Sequence, residues 1–202
     1  MRRPVLAAAA LALPALALAA CATPQGPIEV TRFLDPAATA RLGQGTVFVE
    51  SAPGAPDGLE AAPFKAAVAA ELTRLGYRES GRAGADQIAQ VAYSRFVESA
   101  EGRRSPVSVG VGGSTGSYGS GVGLGIGINL GGGQRDRIGT QLSVTLRDAR
   151  GGPNLWEGRA DIASAENSAL ADRTRSAQAL AAALFRDFPG RNGETIQVKA
   201  GE

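Results

Sequence analysis

The sequence predicts an α+β domain: an antiparallel-rich sheet with two amphipathic helices packed on one face and a Gly-rich β-hairpin insertion. Three observations carry that prediction. Short runs of period-two alternation recur along the chain, and two longer stretches, near 60–76 and 168–188, place apolar residues at helical spacing instead. From Gly110 to Gly133, 12 of 24 residues are glycine, yet an alternating aliphatic row runs through them. With 202 residues, 44% hydrophobic and 20% charged, the chain suits one domain with a real core.

Taken in order, Ile28 to Phe33 alternates apolar and polar residues and Thr46 to Glu50 does so less strictly. Pro36 and Gly43-Gln44-Gly45 break the chain between them, so two strands are expected. Phe64, Val68, Leu72 and Leu75 then recur at spacings of four, four and three, with Glu60 and Pro63 at the start and Gly76 at the end. This predicts an amphipathic helix closed by a left-handed glycine cap. Tyr77 to Ser80 and Gln87 to Glu98 read as strands, the second with imperfect alternation that a bulge or burial on both faces would explain. Beyond the glycine-rich segment, Ile138, Thr140, Leu142, Val144 and Leu146 keep a period of two, and Gly151-Gly152-Pro153 turns into Leu155 to Ile162, a predicted hairpin. Ser168 to Phe188 supplies the second helix, its apolar face built from Ala177, Leu180, Ala181, Leu184, Phe185 and Phe188. Glu194 to Lys199 is expected as an edge strand, and the lone Trp156 as core packing between helix and sheet.

The N-terminus carries an address. Arg2 and Arg3 precede the apolar run Val5 to Leu18, and small residues follow, the arrangement of a secretory signal peptide over residues 1–20. The run is shorter than the ~20 apolar residues of a membrane-spanning helix and Pro14 interrupts it. The tetrad Leu18-Ala19-Ala20-Cys21 resembles a bacterial lipobox, and Cys21 is the chain's single cysteine. On that likeness Cys21 becomes the first mature residue and carries covalent lipid, palmitate or another acyl chain, the only prosthetic group expected. Residues 21–27 then form a tether and 28–202 a single periplasmic domain. Ala22, where an Asp would resemble an inner-membrane retention signal, implies the periplasmic face of the outer membrane of a Gram-negative bacterium. Removing residues 1–20 takes away two arginines and leaves nineteen basic against nineteen acidic residues, a balance that gives no support to nucleic-acid binding.

The glycine-rich insertion, 107–133, reads as two strands with one aliphatic face. Val107, Val109 and Val111 form the first row, and Val122, Leu124, Ile126, Ile128 and Leu130 the second, with a polar turn between them. Glycine in a strand costs roughly 0.5 to 1 kcal/mol relative to alanine, so the bare face calls for a close neighbour. Three readings stay open: a softened hairpin or mobile loop packed on its own domain, self-association into a homo-oligomer, or contact of the aliphatic row with lipid. Arg103-Arg104 and Arg135/Arg137 bracket the segment, as phosphate or carboxylate contacts or as charges that keep it soluble.

Zero histidines and one cysteine remove Ser-His-Asp and Cys-His catalysis and His- or Cys-based zinc sites. Gly112-Gly113-Ser114-Thr115-Gly116 has the letters of a nucleophile elbow but no base to activate it. Neither Lys65 nor Lys199 follows a glycine, which excludes a Walker A nucleotide site. Asp148, Glu157, Asp161 and Glu166 gather around the second predicted hairpin, where two carboxylates would suit a glycosidase, although a solvated acidic face is the simpler account. No catalytic residue and no metal site is expected.

Leu18-Ala19-Ala20-Cys21, the helix end Glu71-Leu72-Thr73-Arg74-Leu75-Gly76-Tyr77, the Ala85-Asp86 step before Val91-Ala92-Tyr93, the glycine-rich insert and Leu155-Trp156-Glu157-Gly158 stand in this order along the chain. Together they resemble the bacterial lipoproteins that carry the domain of unknown function 4136. It implies a small α+β lipoprotein domain without assigned catalysis. The expected function is a non-enzymatic, outer-membrane-anchored binding or scaffolding role in the cell envelope, with the membrane and an envelope protein or a second copy as partners. The alternative is a homo-oligomeric assembly whose glycine-rich hairpin inserts into or lies against the membrane.

Overall fold

The computed structural model describes residues 26–98, 107–114, 121–128 and 137–200. Their elements are β1 (Ile28–Leu34), β2 (Thr46–Ser51), α1 (Ala62–Arg74), β3 (Arg78–Glu79), β4 (Gln87–Glu98), β5 (Val107–Ser114), β6 (Gly121–Ile128), β7 (Arg137–Asp148), β8 (Asn154–Ala165), α2 (Arg173–Leu184) and β9 (Glu194–Val198). Seven strands form one sheet in the order β3-β2-β4-β7-β8-β1-β9, and β5 pairs with β6 in a separate two-stranded ladder.

The class is α+β, and the seven-stranded sheet is mixed. The pairs β4–β7, β7–β8, β8–β1 and β1–β9 are antiparallel, but β2 runs parallel to both β3 and β4. The connection from β2 through α1 forces this: a helix carries the chain back along the sheet, so the strand after it restarts in the same direction. Alternation within one strand reports which face is buried and is silent on the direction of its neighbour.

One face of the sheet holds the core. Val30, Val47, Ala89, Val91, Leu142, Val144, Leu146, Trp156, Ala160 and Ile162 point into it, and α1 and α2 close it with Phe64, Val68, Leu72, Leu180, Leu184 and Phe185. Burying a large aliphatic or aromatic side chain of this kind is worth about 1.5 to 3 kcal/mol. α1 ends as its sequence predicts: Gly76 adopts φ +107°, and the Tyr77 N–H reaches back to the Leu72 carbonyl at 3.1 Å. The second helix is shorter than the predicted 168–188 span. Asp172 is extended and its carboxylate accepts the Arg175 N–H, so α2 starts at Arg173, after a separate 3-10 turn over Ala169–Ala171. β4 pairs with β7 without a bulge from Gln87↔Asp148 to Glu98↔Arg137. Its imperfect alternation reflects burial on both sides, since Ile88 is buried on the face opposite Ala89 and Val91.

Two polar groups inside the core are structural. Arg32, 2% exposed, donates from Nε to the Leu184 carbonyl at 3.0 Å and from Nη2 to the Ala183 carbonyl at 3.1 Å, closing the C-terminus of α2. Desolvation lowers the Arg32 pKa, against the pull of Asp187 and Glu194. The Tyr77 hydroxyl accepts the Gly43 N–H and donates to Gln87 Oε1, while Gln87 Nε2 donates to the Arg41 carbonyl. This chain ties the end of α1 to β4 and to the segment after β1. Burial raises the Tyr77 pKa.

Candidate functional site

On the sheet face opposite the helices Ile88 and Leu155 are buried, and the part built by β1, β8 and β7 around Phe33 lies open among the described residues. Cross-strand register builds a patch there from two rows: Thr31 beside Arg159 beside Ser143, and Phe33 beside Glu157 beside Thr145. These six side chains line a shallow groove of about 350 Å³, and Phe33 is 53% exposed in it. Thr31 and Thr195 share a hydroxyl contact of 2.8 Å, and Gln141 donates to Asp161 at 2.6 Å, so polar cross-strand pairs flank the groove. An exposed aromatic set among threonines, one arginine and one glutamate is the composition of a recognition surface, with an apolar anchor and a polar surround.

The two ends of the sheet differ in character. At one end Arg41, Gln44, Gly45, Asp86, Gln87, Asp148 and Arg150 line a polar cleft of about 270 Å³. Asp86 accepts from the Thr46 N–H at 2.9 Å and its hydroxyl at 2.7 Å, and the backbone bond leads the lowering of its pKa. Asp148 accepts the Arg150 N–H at 2.8 Å and pairs with Arg41, and its pKa is likewise lowered, first by that backbone bond. Both carboxylates are held ionised and already partnered, which suits joining loops and leaves neither poised to transfer a proton.

At the other end the chain enters the domain. Gly26 lies against Arg137, with Nη2 3.5 Å from where a Cβ would stand, and Arg137 Nη2 donates to the Ala163 carbonyl at 2.8 Å. Arg137 is also the first residue of β7 and pairs with Glu98, the last of β4. Phe96 and Val97 lie beside this pair, 50% and 64% exposed, and Phe96 rests over Gly139, where a Cβ would come within 2.4 Å of its ring. Glu60, bonded to Arg173 at the start of α2, follows Leu59, which is 94% exposed.

A family model for a domain of unknown function, DUF4136, matches residues 42–190. The chain belongs to the DUF4136 family. The matched span of this DUF4136 domain runs from the loop after β1 to the turn after α2, taking in both helices, β5–β6 and all of the polar cleft's lining but Arg41. No curated protein matches the chain. Among solved structures it is similar to a PDZ domain protein from Parabacteroides distasonis, at 12% identity and a TM-score of 0.52, over 86% of this chain and 39% of that one. The chain therefore spans well under half of that protein, and the likeness concerns the fold. A PelC dodecamer from Paraburkholderia phytofirmans aligns over 82% of this chain and 99% of its own at 15% identity, with a TM-score of 0.45.

Of the residues singled out as candidate contacts in the sequence, Cys21, Arg103, Arg104, Leu130 and Arg135 lie outside the described residues. Val107, Val109 and Val111 on β5 stand opposite Ile128, Ile126 and Leu124 on β6, and Gly113 opposite Val122. The aliphatic positions thus share one face of that ladder, and Ser108, Gly110, Gly112 and their glycine partners the other. The acidic group does not converge. Asp148 is held by Arg41 and Arg150, Asp161 by Gln141 and Glu157 by Asn154, while Glu166 lies exposed after β8. Among the described residues no three metal-ligating side chains come together, and no helix is long and apolar enough to cross a membrane. Sequence reasoning missed the Phe33 groove and the exposed Phe96 and Val97. Its signal was present at Arg32-Phe33, where the apolar-in, polar-out alternation of β1 inverts.

Proposed function

We propose that this DUF4136 chain is a lipid-anchored, non-enzymatic binding module on the periplasmic face of the outer membrane. Cys21 is its membrane attachment, and the open face around Phe33 is the surface it offers to an envelope partner. The single observation that supports the reading best is the sidedness of the sheet. Both helices cover one face, and the other keeps Phe33 half exposed among paired polar residues. A domain that needs only to be stable gains from covering such a side chain. The glycine-rich β5–β6 ladder is read as a hairpin inserted between β4 and β7, in a sheet that is antiparallel outside the β2 connections.

Fractionation of cells expressing the full chain tests the anchor. Wild type is expected with outer membranes and Cys21→Ser is expected to leave them, because acyl chains at about 0.8 kcal/mol per buried methylene supply the attachment. Equal partition of the two overturns the anchor. Release of soluble fragments from peptidoglycan by the purified chain overturns the non-enzymatic part.

A further inference from the structure

We infer that the β5–β6 hairpin lies in the interface of the same membrane that holds Cys21, its aliphatic row toward the acyl chains. The inference rests on the lipid-anchor reading above and adds the surface that the hairpin meets. Three independent features converge on one end of the domain. First, the described chain begins there, Gly26 lying against Arg137. Four residues lie between Gly26 and Cys21, and the five steps of a fully extended chain cover at most ~3.6 Å each, so the acylated end stays within roughly 18 Å. Second, the hairpin leaves and returns there, between the paired residues Glu98 and Arg137. Eight residues, 99–106, lead from that pair to Val107, and eight, 129–136, lead back from its partner Ile128. The two connecting segments are equal in length. Third, Leu59, Phe96 and Val97, three of the four large apolar side chains most exposed among the described residues, lie toward this end, and the fourth, Phe33, is on the open face.

The geometry of the ladder selects a position in the interface over a crossing by a single copy. Eight residues at ~3.3 Å each make about 26 Å, enough to match a ~25 Å apolar band. A lone two-stranded ladder, however, has two open edges whose N–H and C=O groups find no partner in hydrocarbon. Lying along the interface, those edges meet water and headgroups while the row of Val107, Val109, Val111, Leu124, Ile126 and Ile128 meets acyl chains. Glycine and serine on the reverse face add no bulk on the water side.

The test uses the full, lipidated chain in vesicles of phosphatidylethanolamine and phosphatidylglycerol. The one native cysteine sulfur is occupied by lipid in the anchored chain, so a cysteine introduced elsewhere is its only free thiol. An environment-sensitive fluorophore is placed by Val109→Cys, Val111→Cys, Leu124→Cys or Ile126→Cys, and by Arg150→Cys at the far end as reference. Blue-shifted emission of the buried Trp156 selects the variants that are folded. Nitroxide-labelled acyl chains are expected to quench the four hairpin labels several-fold more than the Arg150→Cys label. Equal quenching in protein that floats with the vesicles overturns the inference and leaves the anchor standing. Hairpin labels that are blue-shifted but unquenched place the row against protein, its own domain or a second copy, and also overturn it. Protein that fails to float overturns the anchor reading, and the inference with it.

Discussion

Arg32 is buried without a carboxylate in contact, and what it binds explains why the fold keeps it. The last carbonyls of a helix have no partners within the helix, and the planar guanidinium reaches two of them at once. Arg32→Ala is expected to cost about 2 to 4 kcal/mol, from two charge-assisted bonds lost and two carbonyls left to find water. Arg32→Lys is expected to recover only part, since an ammonium lacks the fork. Urea unfolding followed through Trp156, the only tryptophan, measures both. At the polar cleft the relevant variable is pH. Asp86 and Asp148 have folded pKa values below their ordinary 3.8. The stability they contribute is therefore complete above the unfolded value and is lost as pH falls through the lower, folded one. Thermal melts from pH 6 down to pH 2 are expected to show a steeper acid loss for wild type than for Asp86→Asn, with the two curves approaching one another at the acid end. A constant gap between them contradicts this assignment.

At the scale of elements, the β8 segment Leu155-Trp156-Glu157-Gly158 shows why one glycine sits in a core strand. A Cβ on Gly158 would lie 2.3 Å from Trp156 Cη2 and 2.8 Å from Leu184 Cδ1, so the indole occupies that space and stacks on Phe185 at 5.3 Å. Trp156 Nε1 also donates to the Pro189 carbonyl at 2.9 Å, fixing the segment after α2 to the sheet. Gly158→Val is expected to destabilise by roughly 1 to 3 kcal/mol through overpacking, whereas Gly81→Ala, with open space around it, is expected to be neutral; chemical denaturation separates the two. The same strand shows what the sequence made legible. Trp156 as core, the glycine cap of α1 and the β7–β8 hairpin follow from local spacing and turn residues. Strand direction did not, because β2 and β4 become parallel neighbours only through the path of α1, a fact no single window contains. The full span of the second helix was misread because Ser168 and Asp172 are both good caps, and the first closes only a 3-10 turn. Of the candidate site, the aliphatic row of β5 and β6 was readable from alternation. The Phe33 groove was not, since it is assembled from three strands distant in sequence.

Over the whole molecule, the ends and faces differ in character. The helices cover one sheet face, the opposite face presents Phe33, the Asp86–Asp148 end ties loops together with ionised carboxylates, and the Gly26–Arg137 end gathers Gly26, the ends of β4 and β7 and exposed apolar side chains. The proposed anchoring would hold the domain at a surface by the end that carries those apolar groups. The proposed anchoring depends on Cys21. The most direct test is therefore the intact mass of the chain extracted from membranes. A polypeptide beginning at Cys21 is expected, with an excess mass equal to a diacylglycerol plus an N-linked acyl chain. A mass matching an unmodified chain, or an N-terminus at any other residue, contradicts it.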